Sequence, residues 1–289
     1  MIESSRDRLG IVSRGSPVLV TGCSSGIGQA TADRLARNGW TVYASARRLE
    51  SMTELEAAGC RLLRLDVTDD DSMRAAVEEI ERAEGAVGAL VNNAGYSLSG
   101  AVESIALEDA RRQFETNVFG LARLTQLVLP AMRRQGTGRI VNVSSMGGRL
   151  TFPGGGWYHA SKHAVEALSD ALRFEVQGFG IDVVVIEPGL VRTDFAETAV
   201  GSIPVDDGPY SRFNAAVGAA TVGVYNGFFG RRLGGGPDTV AQAIERALSA
   251  KRPRTRYRVT ASAKLILTLR RLLTDRTWDA IIRRSYPTP

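Results

Sequence analysis

Tyr158 and Lys162 stand four residues apart in the run Tyr158-His159-Ala160-Ser161-Lys162. On a helix that spacing puts both on one face. A phenol with an ordinary pKa of about 10 is a poor base at neutral pH unless a nearby cation favours the phenolate. A lysine one turn along supplies such a cation. Lys162 is the only lysine in the first 250 residues of a chain that otherwise writes Arg at basic positions. This position therefore asks for a compact ammonium rather than a planar guanidinium. Two hydroxyls, Ser144 and Ser145, precede the pair in the chain, and either could donate a hydrogen bond to a reacting oxygen. By itself the pattern also describes a surface tyrosine and lysine on an amphipathic helix, so the elements around it must decide.

The apolar run Val18-Leu19-Val20 leads straight into Thr21-Gly22-Cys23-Ser24-Ser25-Gly26-Ile27-Gly28 and then a helical pattern. Glycines there let the backbone approach a pyrophosphate, and the helix N-terminus offers free N–H groups and a positive dipole end. The spacing Gly-x-x-x-Gly-x-Gly differs from Gly-x-Gly-x-x-Gly, but it occupies the same strand-to-helix turn. The next apolar run ends at Ala46, followed by Arg47-Arg48. An acidic residue about 20 positions past the glycines favours NAD(H) by holding a ribose 2′-hydroxyl, whereas arginine suits a 2′-phosphate. The residues thus predict NADP(H) in preference to NAD(H), with Glu50 as the rival acidic ribose ligand.

Further apolar runs follow at Leu62 to Val67, Leu90-Val91, Ile140 to Val143 and Val183 to Ile186. They are β-branched and apolar on both faces, as strands of a covered parallel sheet are. Helical patterns alternate with them at Gln29 to Arg37, Ser72 to Glu84, Arg111 to Arg134, Tyr158 to Val176 and Pro237 to Ser249. The alternation predicts an α/β fold, one doubly wound (Rossmann) parallel sheet in a single domain with helices on both faces. Residues 1–15 read as a loose leader and 16–250 as the dinucleotide-binding catalytic domain. The stretch 193–236, Gly-rich, aromatic and without a clear period, reads as an irregular substrate loop or lid. Residues 251–289 read as a basic helical extension.

Composition is that of an ordinary globular protein: 289 residues, 44% hydrophobic and 23% charged. That excludes collagen-like and disordered classes. Two cysteines, Cys23 and Cys60, and two histidines, His159 and His163, give neither a disulfide framework nor a metal-ligand pattern. No metal is expected and neither histidine is given a role. The net charge of +5 comes without a helix-turn-helix or aromatic RNA signature, so no nucleic-acid partner is expected. No signal peptide or membrane span stands out, which leaves the cytoplasm as the expected compartment.

Together these features resemble the short-chain dehydrogenase/reductase superfamily over roughly residues 16 to 195. Thr21 to Gly28 matches its glycine motif, Asp66-Val67 its adenine-contacting pair, and Asn92-Asn93-Ala94-Gly95 its motif after the fourth strand. Asn117 matches the asparagine of its catalytic tetrad, and Pro188-Gly189 with Val191 and Thr193 the segment that touches the nicotinamide. Ser145 lies thirteen residues before Tyr158, the family's spacing, which sets it ahead of Ser144. The resemblance implies hydride transfer between a nicotinamide and an alcohol or ketone. Tyr158 would be the general acid or base, Ser145 the oxygen-holding donor, and Lys162 the residue that lowers the Tyr158 pKa and binds the nicotinamide ribose. Asn117 would place a water in a proton relay. It also implies homodimers or homotetramers built through the helices carrying Asn117 and Tyr158.

Phe195, Tyr210, Phe213, Tyr225, Phe228 and Phe229 in the insertion, with Met146, Leu150, Phe152 and Trp157 near the site, suggest a lipophilic ketone or alcohol. The sequence around Trp40 to Ala44 and the tail is similar to hydroxysteroid and retinol dehydrogenases. The basic tail carries an amphipathic pattern at Leu265, Ile266, Leu269, Leu272 and Leu273. Such a helix can lie on an anionic membrane. Covering the core beside a pocket is the commoner use and is the expectation here. The alternatives to hydride transfer are an NADP(H)-sensing binding or regulatory protein, which would not need Tyr158, Lys162 and Ser145 together, and an epimerase or dehydratase on the same scaffold.

Overall fold

The structure, a computed structural model, describes residues 12–205, 207–284 and 286, without the side chains of Asn226, Phe228 and Phe229. Residues 1–11 of the expected leader, and the two aromatic side chains at 228 and 229, lie outside the described residues. Seven strands form one parallel sheet: β1 (Pro17–Thr21), β2 (Thr41–Ala46), β3 (Arg61–Arg64), β4 (Ala89–Asn92), β5 (Gly138–Val143), β6 (Ile181–Glu187) and β7 (Arg256–Arg258). Their order is β3-β2-β1-β4-β5-β6-β7. The connections reverse direction between β1 and β4, and ligands of such sheets bind at the carboxyl ends beside that switch point.

The helices are α1 (Gly26–Arg37), α2 (Thr53–Ala57), α3 (Asp70–Glu84), α4 (Leu107–Phe114), α5 (Leu121–Gln135), α6 (Gly156–Val176), α7 (Phe195–Gly201), α8 (Ser211–Asn226), α9 (Phe228–Leu233), α10 (Pro237–Ser249), α11 (Ala261–Leu272) and α12 (Asp275–Ile282). Two cores follow from strands that are apolar on both faces. Val18, Val20, Val42, Val141 and Val184 pack under α1 and α10. Leu19, Leu90, Ile140 and Val183 pack under α3 and α5. No helix among the described residues is long and apolar enough to cross a membrane.

Four expectations are revised. The leader is not loose from residue 12 onward, because Val12 is buried in the first core and Arg14 accepts a hydrogen bond from Thr41 at 3.4 Å. The helix expected from Arg111 to Arg134 is broken by a π turn over Glu115–Gly120, a feature that often marks functional sites. The insertion is not irregular: α7, α8 and α9 occupy most of it. Alanines favour α8, and the buried Asn214 anchors it, its amide oxygen accepting from Ala101 N at 2.8 Å. Finally, the basic tail does not begin as an appendage. Arg256–Arg258 is an edge strand paired with β6, and Arg256 and Arg258 reach the buried Glu187, each at 3.3 Å.

Arg139 on β5 ties the sheet to α10. Fully buried, it donates to the carbonyls of Ala247, Leu248 and Ala250 at 2.7–2.8 Å and to Asp182 at 2.7 Å. These satisfy carbonyls at the end of α10 that the helix cannot satisfy itself. Arg139→Leu strands them in an apolar setting. Urea unfolding is expected to show a loss on the order of 3 kcal/mol, and an undiminished stability would contradict this role.

Candidate active site

Thr21 at the end of β1 organises the cofactor side. Its hydroxyl accepts from the N–H groups of Asn93 and Ala94, both at 3.0 Å, and Asn93 Nδ2 donates to the carbonyls of Thr21 and Gly22 at 2.9 and 3.2 Å. The loop after β4 is thereby stitched to the glycine loop. A Cβ on Gly28 would lie 2.1 Å from Gly22 O, and Gly22 itself sits at φ +71°, so neither position takes a side chain. Ser24 and Ser25 complete the turn. Ser25 is extended and makes no side-chain cap, and the first turn of α1, Gly26 and Ile27 included, carries no acid. Its N–H groups are left for an anion. A dinucleotide pyrophosphate fits that cradle.

The other expected contacts collect along the same edge. Arg47 and Arg48 follow β2, both exposed and without a carboxylate partner among the described residues. Asp66 and Val67 follow β3, where Asp66 accepts from Thr68 at 2.8 and 2.9 Å. Gly95 lies against Asn117 and Lys162. Pro188 O accepts from Met146 N at 2.8 Å, which locks the segment after β6 to the one after β5. Leu190 N donates to Ser262 at 3.1 Å just beyond Gly189. Val191 bridges to Gly235, and Thr193 reaches back towards Gly26.

Ser145, at the end of β5, caps a short turn by accepting from Gly147 N at 3.0 Å and is hydrogen-bonded to the Tyr158 phenol. Lys162 is 6% exposed, with Nζ 6.0 Å from the Tyr158 ring centre. The pair shares a face of α6, as the spacing predicts. The electrostatics differ from expectation. Burial pushes the phenol up to about 12, against the hydrogen bond from Ser145, while the Lys162 ammonium donates to Val143 O at 2.9 Å. Burial in turn brings Lys162 down from 10.5 to about 8, opposed by Glu166. Tyr158 is thus a neutral phenol at physiological pH, held ready to donate a proton.

Asn117 sits in the π turn, fully buried. Its amide donates to Tyr96 O at 2.9 Å and Ser161 Oγ at 3.0 Å and accepts from Tyr96 N at 3.0 Å. Both amide N–H groups are spent on the protein, so its side chain fixes the loop after β4 against α6.

Two contributors escaped the sequence reading. Glu166, one turn beyond Lys162, is buried and accepts from Arg256 Nε at 2.9 Å. The register 158, 162, 166 could have revealed it; the arginine that meets it could not be foreseen. His159 is wedged beneath the loop joining Ser145 to Tyr158, with Nδ1 3.1 Å from Gly147 O, and burial lowers it to about 4, so it is neutral. Cys23 and Cys60 are buried thiols pushed up to about 12 and about 11, and inert.

The aromatics divide. Phe195 stands 5.4 Å from the Tyr158 ring, centre to centre. Met146, Leu150 and Tyr225 pack with α11 in a third apolar cluster, and Trp157 packs on Phe114. A cavity of about 1170 Å³ opens beside the loop, lined by Phe152, Phe213 and Trp278 and equally by Arg149, Arg258, Arg270 and Arg271; Tyr158 and Ser145 do not line it.

The defining pattern of the short chain dehydrogenase family matches residues 16–201. The chain belongs to that family. It is 36% identical over 267 residues to the uncharacterized oxidoreductase YbbO of Escherichia coli strain K12, covering 92% of this chain and 93% of the relative. It is 34% identical over 277 residues to an NADPH-dependent 3-dehydrocapnine reductase of Ornithobacterium rhinotracheale, covering 92% and 96%. A solved short-chain dehydrogenase from Streptomyces avermitilis superposes with a TM-score of 0.77 at 36% identity over 94% of this chain and 99% of that one. The enzyme is therefore an oxidoreductase built for a nicotinamide cofactor.

Glu166 faces Lys162 and keeps its amine charged to higher pH. Glu166→Gln lets burial act unopposed, so the amine loses its proton at lower pH. The alkaline limb of the kcat/KM profile is expected to move down by about half a pH unit or more. An unmoved limb would show that Glu166 serves only to pair with Arg256.

Proposed function

We propose that this enzyme reduces a lipophilic ketone with NADPH, and catalyses the reverse oxidation less readily. The observation that carries this reading is the Tyr158 phenol, hydrogen-bonded to Ser145, raised to about 12 by burial and set beside Lys162. When bound, the nicotinamide supplies hydride. Tyr158 delivers its phenolic proton to the carbonyl oxygen, which Ser145 holds and polarises. Lys162 stabilises the tyrosinate left behind and is the residue placed to bind the ribose, while Asn117 keeps the loop after β4 in register with α6. Water exclusion by Phe195 strengthens these contacts.

The choice of NADP(H) rests on Arg47 and Arg48, two exposed guanidinium groups without carboxylate partners among the described residues at the end of β2, a geometry suited to a 2′-phosphate. The relative named as an NADPH-dependent reductase agrees with it. Glycine-loop contacts, Asp66-Val67, Asn93 to Gly95 and Pro188 to Thr193 would hold the remainder of the cofactor. Phe195, beside the Tyr158 ring, supports an apolar substrate, of the steroid, retinoid or similar class. Exposed Leu107, Phe119, Leu168 and Phe174 on α4, the π turn and α6 support a homodimer or homotetramer through these helices.

Tyr158→Phe is expected to lower kcat/KM for ketone reduction by about 10²- to 10⁴-fold with NADPH binding intact; full turnover would remove Tyr158 as the acid, and tight NADPH binding without turnover in the wild type would favour the sensing reading. Arg47→Ala with Arg48→Ala is expected to raise the NADPH KM by about tenfold or more and leave that for NADH unchanged. Equal losses with both cofactors would refute the 2′-phosphate assignment.

A further inference from the structure

Charge is segregated along this chain. Eleven of the 36 Lys and Arg, but only two of the 31 Asp and Glu, lie after Ala250. That segment is +9, and the preceding 250 residues are −4. Arg256 and Arg258 are consumed by the buried acids. Lys251, Arg252 and Arg254 precede β7, and Arg270 on α11 pairs with Asp275; on and just after α11 and α12, Lys264, Arg271, Arg276, Arg283 and Arg284 have no salt-bridge partner among the described residues.

These two helices do not place all their leucines on the core. Ala263 and Leu267 point inward. Leu265, Leu269 and Leu272 form the opposite stripe and are 42%, 44% and 76% exposed, with Ile281 on α12 at 45%. A helix that merely covered the core would present polar residues there. Instead, apolar side chains stand in a frame of unpaired cations, the arrangement that lies in a bilayer interface: leucines among the acyl chains and guanidinium groups at the phosphates. The inner side of the same two helices, through Leu267, Arg270, Trp278 and Ile282, walls the 1170 Å³ cavity.

We propose that the surface of α11 and α12 is a docking surface for an anionic lipid bilayer, against which it brings the cavity that these helices wall. Charge complementarity selects this occupant. A second copy seated by two-fold symmetry would set like charges against each other, and a nucleic acid has no use for a leucine stripe. The proposal revises the expectation that the basic tail serves only as a cover, and it is independent of which carbonyl the enzyme reduces.

The test is flotation of the full-length protein with vesicles of phosphatidylcholine alone or with roughly one-third phosphatidylserine. Binding is expected to the anionic vesicles, with release at about 0.5 M NaCl. The combined variant Leu265→Ser, Leu269→Ser, Leu272→Ser is expected to bind about tenfold more weakly while keeping its circular dichroism spectrum and its NADPH turnover of a water-soluble carbonyl. Equal binding to neutral and anionic vesicles, or none to either, overturns the proposal without touching the catalytic reading. So does a triple variant that floats like the wild type, or one whose scattering mass falls to a smaller oligomer, which would make a second copy the occupant. If the variant fails to fold, the lipid-charge and salt dependence of the wild type decide.

Discussion

A single ammonium buried at the end of β5 constrains most of what surrounds it. Removing a lysine amine from water costs several kcal/mol unless its hydrogen bonds and charge are met inside. Lys162 meets them with Val143 O at 2.9 Å and with Glu166 one turn along α6. Glu166 cannot be buried alone either, and takes Arg256, which also reaches Asp170 at 2.6 Å and Glu187 at 3.3 Å, while Arg258 completes Glu187. The cluster holds three acids and, with Arg173 reaching Asp170 at 2.5 Å, four bases. The match is incomplete: the Lys162 pKa remains at about 8 instead of 10.5, so the folded state is penalised at any pH where the amine is charged. That penalty fades as pH rises from about 8 to 10.5. The enzyme therefore trades stability for a cation at this point.

This chain of compensation explains why the fold extends past the segment that defines the family. The family match ends at residue 201, yet Arg256 and Arg258 arrive on β7, beyond it. Without that edge strand Glu166 would lose Arg256, and Glu187 would lose both Arg256 and Arg258. On the opposite side of the site the same economy operates through neutral groups. Thr21 and Asn93 satisfy backbone atoms of two loops with one hydroxyl and one amide, so the glycine turn needs no side chains of its own.

How much of this could be read from the sequence depended on whether a feature was local. Six strands were legible because parallel strands are apolar on both faces, and the placement of Tyr158 and Lys162 followed from helical spacing alone. β7 was not legible: Arg-Tyr-Arg has the alternation of an edge strand but the charge of a solvated tail, and only its distant partners Glu166 and Glu187 give the arginines a reason. The helices α7 to α9 were obscured by glycines and aromatics, and are held by long-range contacts such as Asn214 to Ala101. The leucine stripe of α11 was visible as a pattern, but a pattern cannot tell which face meets the protein. The position of the lysine amine was the most consequential unknown, since residue types are the same whether it points at the phenol or at the strand.

That last distinction bears on direction. A phenol can serve as a base only while a cation close to its oxygen stabilises phenolate. Here one N–H of the ammonium is taken by Val143 O, and burial keeps the Tyr158 proton in place. Donation to a carbonyl oxygen draws on the resting form of the residue. Abstraction from an alcohol first requires that form to be emptied, a step that burial opposes and that rising pH favours. Donation and abstraction thus use opposite protonation states of one group, and burial, more than the identity of the residue, sets which of the two is the resting state.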